Sequence, residues 1–146
     1  MNSDGWVSID FMVASMIILL IIPGIVAISE DRINTANSVN EVAKAKVLSD
    51  NVAETIEMVY SGGDGCSIIF KMPANIEDKP YYINVNSSGV YVRFHGMITS
   101  AFINPMMISY SLKKSRSNVL MQPNKLYNIS NIKDEYGYTH IIIKRT

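Results

Sequence analysis

The chain reads as an α+β protein in which a long N-terminal α-helix packs on an antiparallel β-sheet head. Three observations lead there. An uncharged apolar run lies near the N-terminus, and an apolar pattern in steps of three and four continues from it with neither Gly nor Pro between Ser29 and Tyr60. Short β-prone runs separated by polar turns fill the remainder of the 146 residues. A half-apolar helix and a sheet each have one face that needs covering, and packing one on the other covers both.

The apolar run is Phe11 to Ile28, FMVASMIILLIIPGIVAI, 18 residues with no charge. As a helix it spans about 27 Å, against roughly 30 Å for a bilayer's hydrocarbon core. Trp6, Val7 and Ile9 lengthen the apolar surface by another turn. A cleaved secretory signal would need basic residues before the run and a small-residue cleavage site after it. Met1 to Gly5 contains Asp4 and no Lys or Arg, and the run is followed by Ser29-Glu30-Asp31-Arg32. The helix is therefore expected to stay on the protein as a transmembrane segment, residues 11–28. Pro23 removes a backbone hydrogen bond inside it, so Pro23-Gly24 is the expected helix kink.

Beyond Ile28 the apolar positions Ile33, Ala36, Val39, Val42, Ala43, Val47, Val52, Ala53, Ile56 and Val59 predict an amphipathic second half. Lys44, Lys46, Asp50, Glu54 and Glu57 mostly take the other side. Asn34, Thr35, Asn37, Ser38 and Asn40 are weak helix formers, and a bend or looser turn is expected near Asn37. Ser61-Gly62-Gly63-Asp64-Gly65 ends the helix. It lacks the Lys-Ser/Thr of a phosphate loop, so it is read as a terminator.

Five or six short strands are expected after that point. They are Cys66–Met72, Tyr81–Val85, Val90–Phe94, Met107–Lys113 and Tyr138–Lys144, with a weaker run over Leu120–Ile129 that Pro123-Asn124 interrupts. Asn86-Ser87-Ser88-Gly89 marks a hairpin. The single cysteine, Cys66, excludes an internal disulfide framework and reads as a small buried hydrophobe at a strand start. His95 and His140 are the only histidines, and no Cys/His pairing has metal-ligand spacing, so neither a metal nor a cofactor is expected. Asn86-Ser87-Ser88 and Asn128-Ile129-Ser130 are N-glycosylation sequons, making Asn86 and Asn128 candidate acceptors.

The residues in front of the apolar run are the most informative. Gly5 is followed by Trp6-Val7-Ser8-Ile9-Asp10-Phe11 and then by the uncharged segment. A carboxylate at the edge of a hydrocarbon span is costly, and such residues default to functional roles. Gly, then x-x-Ser-x-(acidic)-(aromatic), then about 18 apolar residues resembles the class III signal peptide of archaeal type IV pilins and archaellins. The resemblance implies that a membrane-embedded prepilin peptidase cuts between Gly5 and Trp6 and leaves the helix on the mature subunit. Ser8, Asp10 and Phe11 then match the family's serine, acidic residue and aromatic, and Pro23 falls near a common helix-weakening proline. Asp10 stands where the family usually has Glu, Trp6 where Gln is common, and the leader lacks the usual basic residues. Tyr60-Ser-Gly-Gly, the β-run closed by Pro73, and Tyr81-x-Ile-x-Val with Val90-x-Val are similar to the head start of small archaeal pilin-like proteins.

The organisation implied is a leader over 1–5, the N-terminal helix over 6–60 and a β-rich head over 61–146. The function implied is that of a structural subunit in an extracellular type IV pilus-like filament serving surface attachment. The precursor would sit in the cell membrane, and its partners would be further copies of itself, the prepilin peptidase and the pilus assembly platform. Cleavage would free an α-amine, mostly cationic at neutral pH, for pairing with Asp10 of a neighbouring subunit in the apolar bundle. The alternative is a single-pass binding or sensor protein with a tethered extracytoplasmic β domain. Thirteen Lys+Arg balance 13 Asp+Glu, which leaves no electrostatic footprint for nucleic acid. No nucleophile turn or acid–base cluster marks an enzyme.

Overall fold

The computed structural model describes the backbone of residues 4–104, 106–111 and 118–146, and within that set the side chains from residue 9 onward. One helix, α1 (Asp4–Ser61, 58 residues), precedes β1 (Ser67–Lys71), β2 (Tyr81–Asn86), β3 (Gly89–Phe94), β4 (Met97–Phe102), β5 (Met107–Ser109), β6 (Asn118–Met121), β7 (Leu126–Lys133) and β8 (Thr139–Arg145). The fold is α+β, with the long helix packed on two antiparallel-rich sheets. Two compact units divide the chain, Met1–Asn40 and Glu41–Thr146.

In the second unit the helix presents Ala45, Leu48, Val52, Ile56 and Val59 as a buried stripe. The stripe meets sheets of order β1-β7-β8-β5 and β4-β3-β2-β6. Period-two alternation decides which strand residues join it. Tyr81, Ile83 and Val85 of β2, Val90, Val92 and Phe94 of β3, and Tyr127 and Ile129 of β7 point inward, forming one continuous core with the helix. The two largest buried side chains are tyrosines whose hydroxyls are satisfied. Tyr81 Oη donates to Pro73 O at 2.6 Å, and Tyr127 Oη accepts from Gln122 N at 2.8 Å. Burial, with a smaller contribution from nearby Tyr127, pushes the Tyr81 phenol well above its ordinary range.

Several expectations need correction. The head has two sheets where one was expected, and among the described residues eight strands where five or six were expected. Strand β5 pairs with β8 in parallel, so the first sheet is mixed. The run predicted over Met107–Lys113 is a strand only to Ser109, and Leu112 and Lys113 lie outside the described residues. Leu120–Ile129 divides into β6 and β7 around Asn124, which adopts φ 55°. Strand β4 was not foreseen. It follows β3 through a two-residue turn in which His95 (φ 43°) and Gly96 (φ 77°) both take positive φ, as a type I′ hairpin requires. His-Gly is a weaker signal for that turn than Asn-Gly, and the polar Thr99-Ser100 pair hides the strand pattern. Cys66 is partly buried and free, just ahead of β1.

Helix α1 runs without interruption through the weak helix formers around Asn37. The hydroxyls of Thr35 and Ser38 bond back to Asp31 O and Thr35 O at 2.8 Å each, so they do not divert the backbone into a turn. Ile33, Ala36, Val39, Ala43 and Val47, assigned to the apolar face, are exposed; the buried positions begin at Ala45. At its C-terminus the helix is closed from the sheet. Asn131 Nδ2 donates to Val59 O (3.2 Å) and Tyr60 O (3.0 Å), carbonyls of the last helical turn, and Tyr60 O also accepts from Gly63 N (3.3 Å).

Charge pairs fasten the first turns of the packed half. Glu41 accepts from Lys79 Nζ at 2.6 Å, and Lys44 pairs with Glu77. Glu77 and Asp78 form a tight turn of positive φ, and that turn carries both partners to the helix. Lys46 Nζ donates to Ser100 O at 2.9 Å, occupying part of the open edge of β4.

Candidate functional site

Within the first unit the apolar stretch is bare. The most apolar 18-residue window of the helix has a mean hydropathy of 2.8 and none of it is buried within the protein. Phe11, Leu19 and Leu20 are 70 % exposed or more. Water does not tolerate an apolar surface of this extent, so something outside this chain covers it. Its polar groups are already arranged for an apolar medium. Ser15 Oγ donates to Met12 O at 3.0 Å and Ser29 Oγ to Ile25 O at 2.8 Å, so neither hydroxyl is left without a partner. This helix is long and apolar enough to cross a membrane, and a membrane anchor is the role its surface fits.

The candidate assembly residues fall on this helix. Gly5, Trp6 and Ser8 belong to its first turns, and their side chains lie outside the described residues. Asp10 and Phe11 are adjacent and exposed, and Asp10 is the sole charge between Ile9 and Ser29. Pro23 and Gly24 follow about 20 Å further along the axis, within continuous helix. Pro23 has no N–H, which leaves the Leu19 carbonyl without its usual intrahelical donor.

The two sequons differ in setting. Asn86 is the last residue of β2, and its Oδ1 accepts from Ser88 N (2.9 Å) and Gly89 N (3.1 Å), which fixes the two-residue turn. Its amide nitrogen is left for other use. Asn128 sits mid-strand in β7 between Ile69 of β1 and Lys144 of β8, with a buried Oδ1. Modification of the folded chain is therefore far more accessible at Asn86.

Other sequence candidates resolve into structural roles. Gly63 (φ 77°) and Gly65 (φ 82°) turn the chain out of the helix, and Gly65 N bonds to Asn131 O. His140 Nε2 lies 3.0 Å from Asp134 Oδ2, while Asp134 Oδ1 accepts from Tyr136 N and Tyr138 N. Desolvation raises the Asp134 pKa, but the hydrogen bonds from His140 and the two amides outweigh it and hold the carboxyl below its usual range. This closes the loop between β7 and β8. Among the described residues no three His, Cys, Asp or Glu side chains gather into a metal site. A hollow of about 380 Å³ on the outer face of the second sheet, lined in part by Tyr82, Tyr91 and Arg93, was not anticipated. The alternation Tyr82-x-Asn84-x-Asn86 was the signal for it, since it places three polar or amphipathic side chains on one face.

Comparison with protein-family models, with curated proteins and with solved structures finds no match. Fold and surface together define a class: an α+β protein whose N-terminal helix is able to span a membrane and carries a β-rich domain.

Proposed function

We propose that this chain is the structural subunit of an extracellular type IV pilus-like filament, made as a membrane-anchored precursor and used for surface attachment. One observation carries the proposal. A single uninterrupted helix has apolar turns that nothing in the chain covers, and its later turns form part of the core of a folded β head. In the membrane, lipid covers those apolar turns; in a filament, the same turns of neighbouring copies do. Gly5 and Trp6 flank the cleavage point, and Ser8, Asp10 and Phe11 follow as the recognition and assembly residues. Asp10 pairs with the new N-terminal amine of a neighbour, since a lone carboxylate in an apolar bundle is strongly disfavoured. Pro23-Gly24 provides the place where the helix adjusts during packing. The proposed partners are other copies of this chain, a prepilin peptidase and an assembly platform, and Asn86 is the proposed glycan acceptor.

N-terminal sequencing of the protein from native cells tests this directly. The expected mature terminus is Trp6. Gly5→Leu should abolish processing, whereas Asp10→Ala should be cleaved normally and fail to enter filaments. An intact Met1–Gly5 in native protein would leave the alternative, a membrane-tethered binding or sensor protein. Normal assembly of Asp10→Ala would remove the charge-pairing role.

A further inference from the structure

The outer face of the second sheet is assembled by register. Tyr82 of β2 stands opposite Arg93 of β3, and Asn84 opposite Tyr91. Ile98 of β4 flanks Arg93 on one side, and Leu120 of β6 flanks Asn84 on the other. These six side chains, with Asn86 at the end of β2, wall the hollow of about 380 Å³, within the roughly 300–1,000 Å³ usual for small-ligand sites. Tyr82, Ile98 and Leu120 are each about half exposed, at 50, 56 and 48 %. Among the described residues the Tyr82 and Tyr91 hydroxyls, the Asn84 amide and the Arg93 guanidinium have no partner within the protein, and no carboxylate lines the hollow.

Three features narrow the ligand. The hollow lies over β2 and β3, the interior strands of the sheet order β4-β3-β2-β6. Their backbone groups are already paired, so an extended peptide has no ladder to join there. A single cation is too little to hold a nucleic-acid backbone, which is gripped through several phosphates. What remains is recognition by side chains alone: ring faces for the C–H surface of a sugar, an amide that both donates and accepts for its hydroxyls, and a planar guanidinium for a carboxylate. We infer that this hollow is a binding site for an acidic saccharide, its carboxylate on Arg93 and its ring against Tyr82 and Tyr91. The site is independent of the filament reading and stands equally for a tethered protein.

The test is an NMR titration of the full ¹⁵N-labelled chain in detergent micelles, expressed in a bacterial host so that Asn86 is unmodified. Glucuronic acid and glucose, which differ at one carbon substituent, are the probes. Glucuronic acid should shift the amides of Tyr82, Asn84, Tyr91, Arg93 and Ile98 and leave the first sheet unmoved. Glucose should bind about tenfold more weakly, the scale of one lost charge-assisted contact. Arg93→Gln should erase that difference without altering the rest of the spectrum, and Tyr91→Ala should weaken both sugars. Equal affinity for the two sugars, no shift on this face, or equal shifts from an oligoglutamate peptide would each overturn the assignment.

Discussion

The two halves of helix α1 use the same backbone and similar amino acids to opposite ends. From Ile9 to Ile28 apolar residues occupy the helix on all sides, and no part of the chain covers them. From Glu41 to Ser61 the buried apolar residues form a stripe, Ala45-Leu48-Val52-Ile56-Val59, that is wholly or nearly buried under two sheets, while Val47 and Met58 stay exposed on the other side. An all-round apolar helix needs an all-round apolar surrounding, whereas a striped helix needs only one partner face. The difference lies in charge: Asp10 is the single charged residue from Ile9 to Ile28, whereas Glu41, Lys44, Lys46, Asp50, Glu54 and Glu57 interrupt the second half.

Substitutions separate the two halves, and the largest effect belongs to the packed one. Ile56→Ala empties a fully buried site and should destabilise the head by about 2–5 kcal/mol. Ile22→Ala, at a bare position, should change head stability by less than about 0.5 kcal/mol. Urea unfolding of both variants in micelles, followed by near-ultraviolet circular dichroism, measures the contrast; equal losses would erase it. Next in size is a charge placed in the bare half. Ile18→Lys should cost about 2.5–3.5 kcal/mol of membrane insertion and release protein from membranes on alkaline extraction. Val47→Lys, which lies on the exposed side of the packed half, should release none. The smallest effect is expected where the packed half begins. Glu41→Gln removes the partner of Lys79, whose side chain is 35 % exposed while that of Glu41 is 13 % exposed. It should cost about 0.2–1 kcal/mol, and the loss should shrink as salt is raised. A loss as large as that of Ile56→Ala would mean that the charge pair, and not the stripe, holds this part of the helix.

Much of this was legible in the chain, for physical reasons that differ by element. The bare half is visible because insertion depends on composition over 18 consecutive residues, which no distant contact alters. The hairpin at Asn86–Gly89 is visible because an Asn side chain can close the turn by itself. Strand β4 was missed because its turn places His95 at positive φ, a conformation held by pairing on both sides more than by local preference. Ile33 and Val39 were misassigned because the three-and-four pattern records which residues share a face of the helix and not where a partner for that face ends.

The candidate sites divide along the same line. Gly5, Ser8, Asp10 and Phe11 form a linear motif, so adjacency in the chain is all that their detection needs. The hollow on the second sheet draws Tyr82, Asn84 and Asn86, Tyr91 and Arg93, Ile98 and Leu120 from four strands. It exists only once register has set Tyr82 against Arg93 and Asn84 against both Tyr91 and Leu120. Asn131 is similar: nothing in the sequence marks it as the donor that closes a helix ending 70 residues earlier.

By itself, then, the sequence determined the span, the extent of the helix, the α+β class and the N-terminal motif, because each depends on interactions among residues close in the chain. Only the tertiary structure decided the division into two sheets, the parallel pairing of β5 with β8, the closing of the helix by Asn131 and the composition of the outer-face hollow. Those features depend on contacts between distant segments, whose free energy is realised only when the core around Val52, Ile56, Tyr81 and Tyr127 has formed.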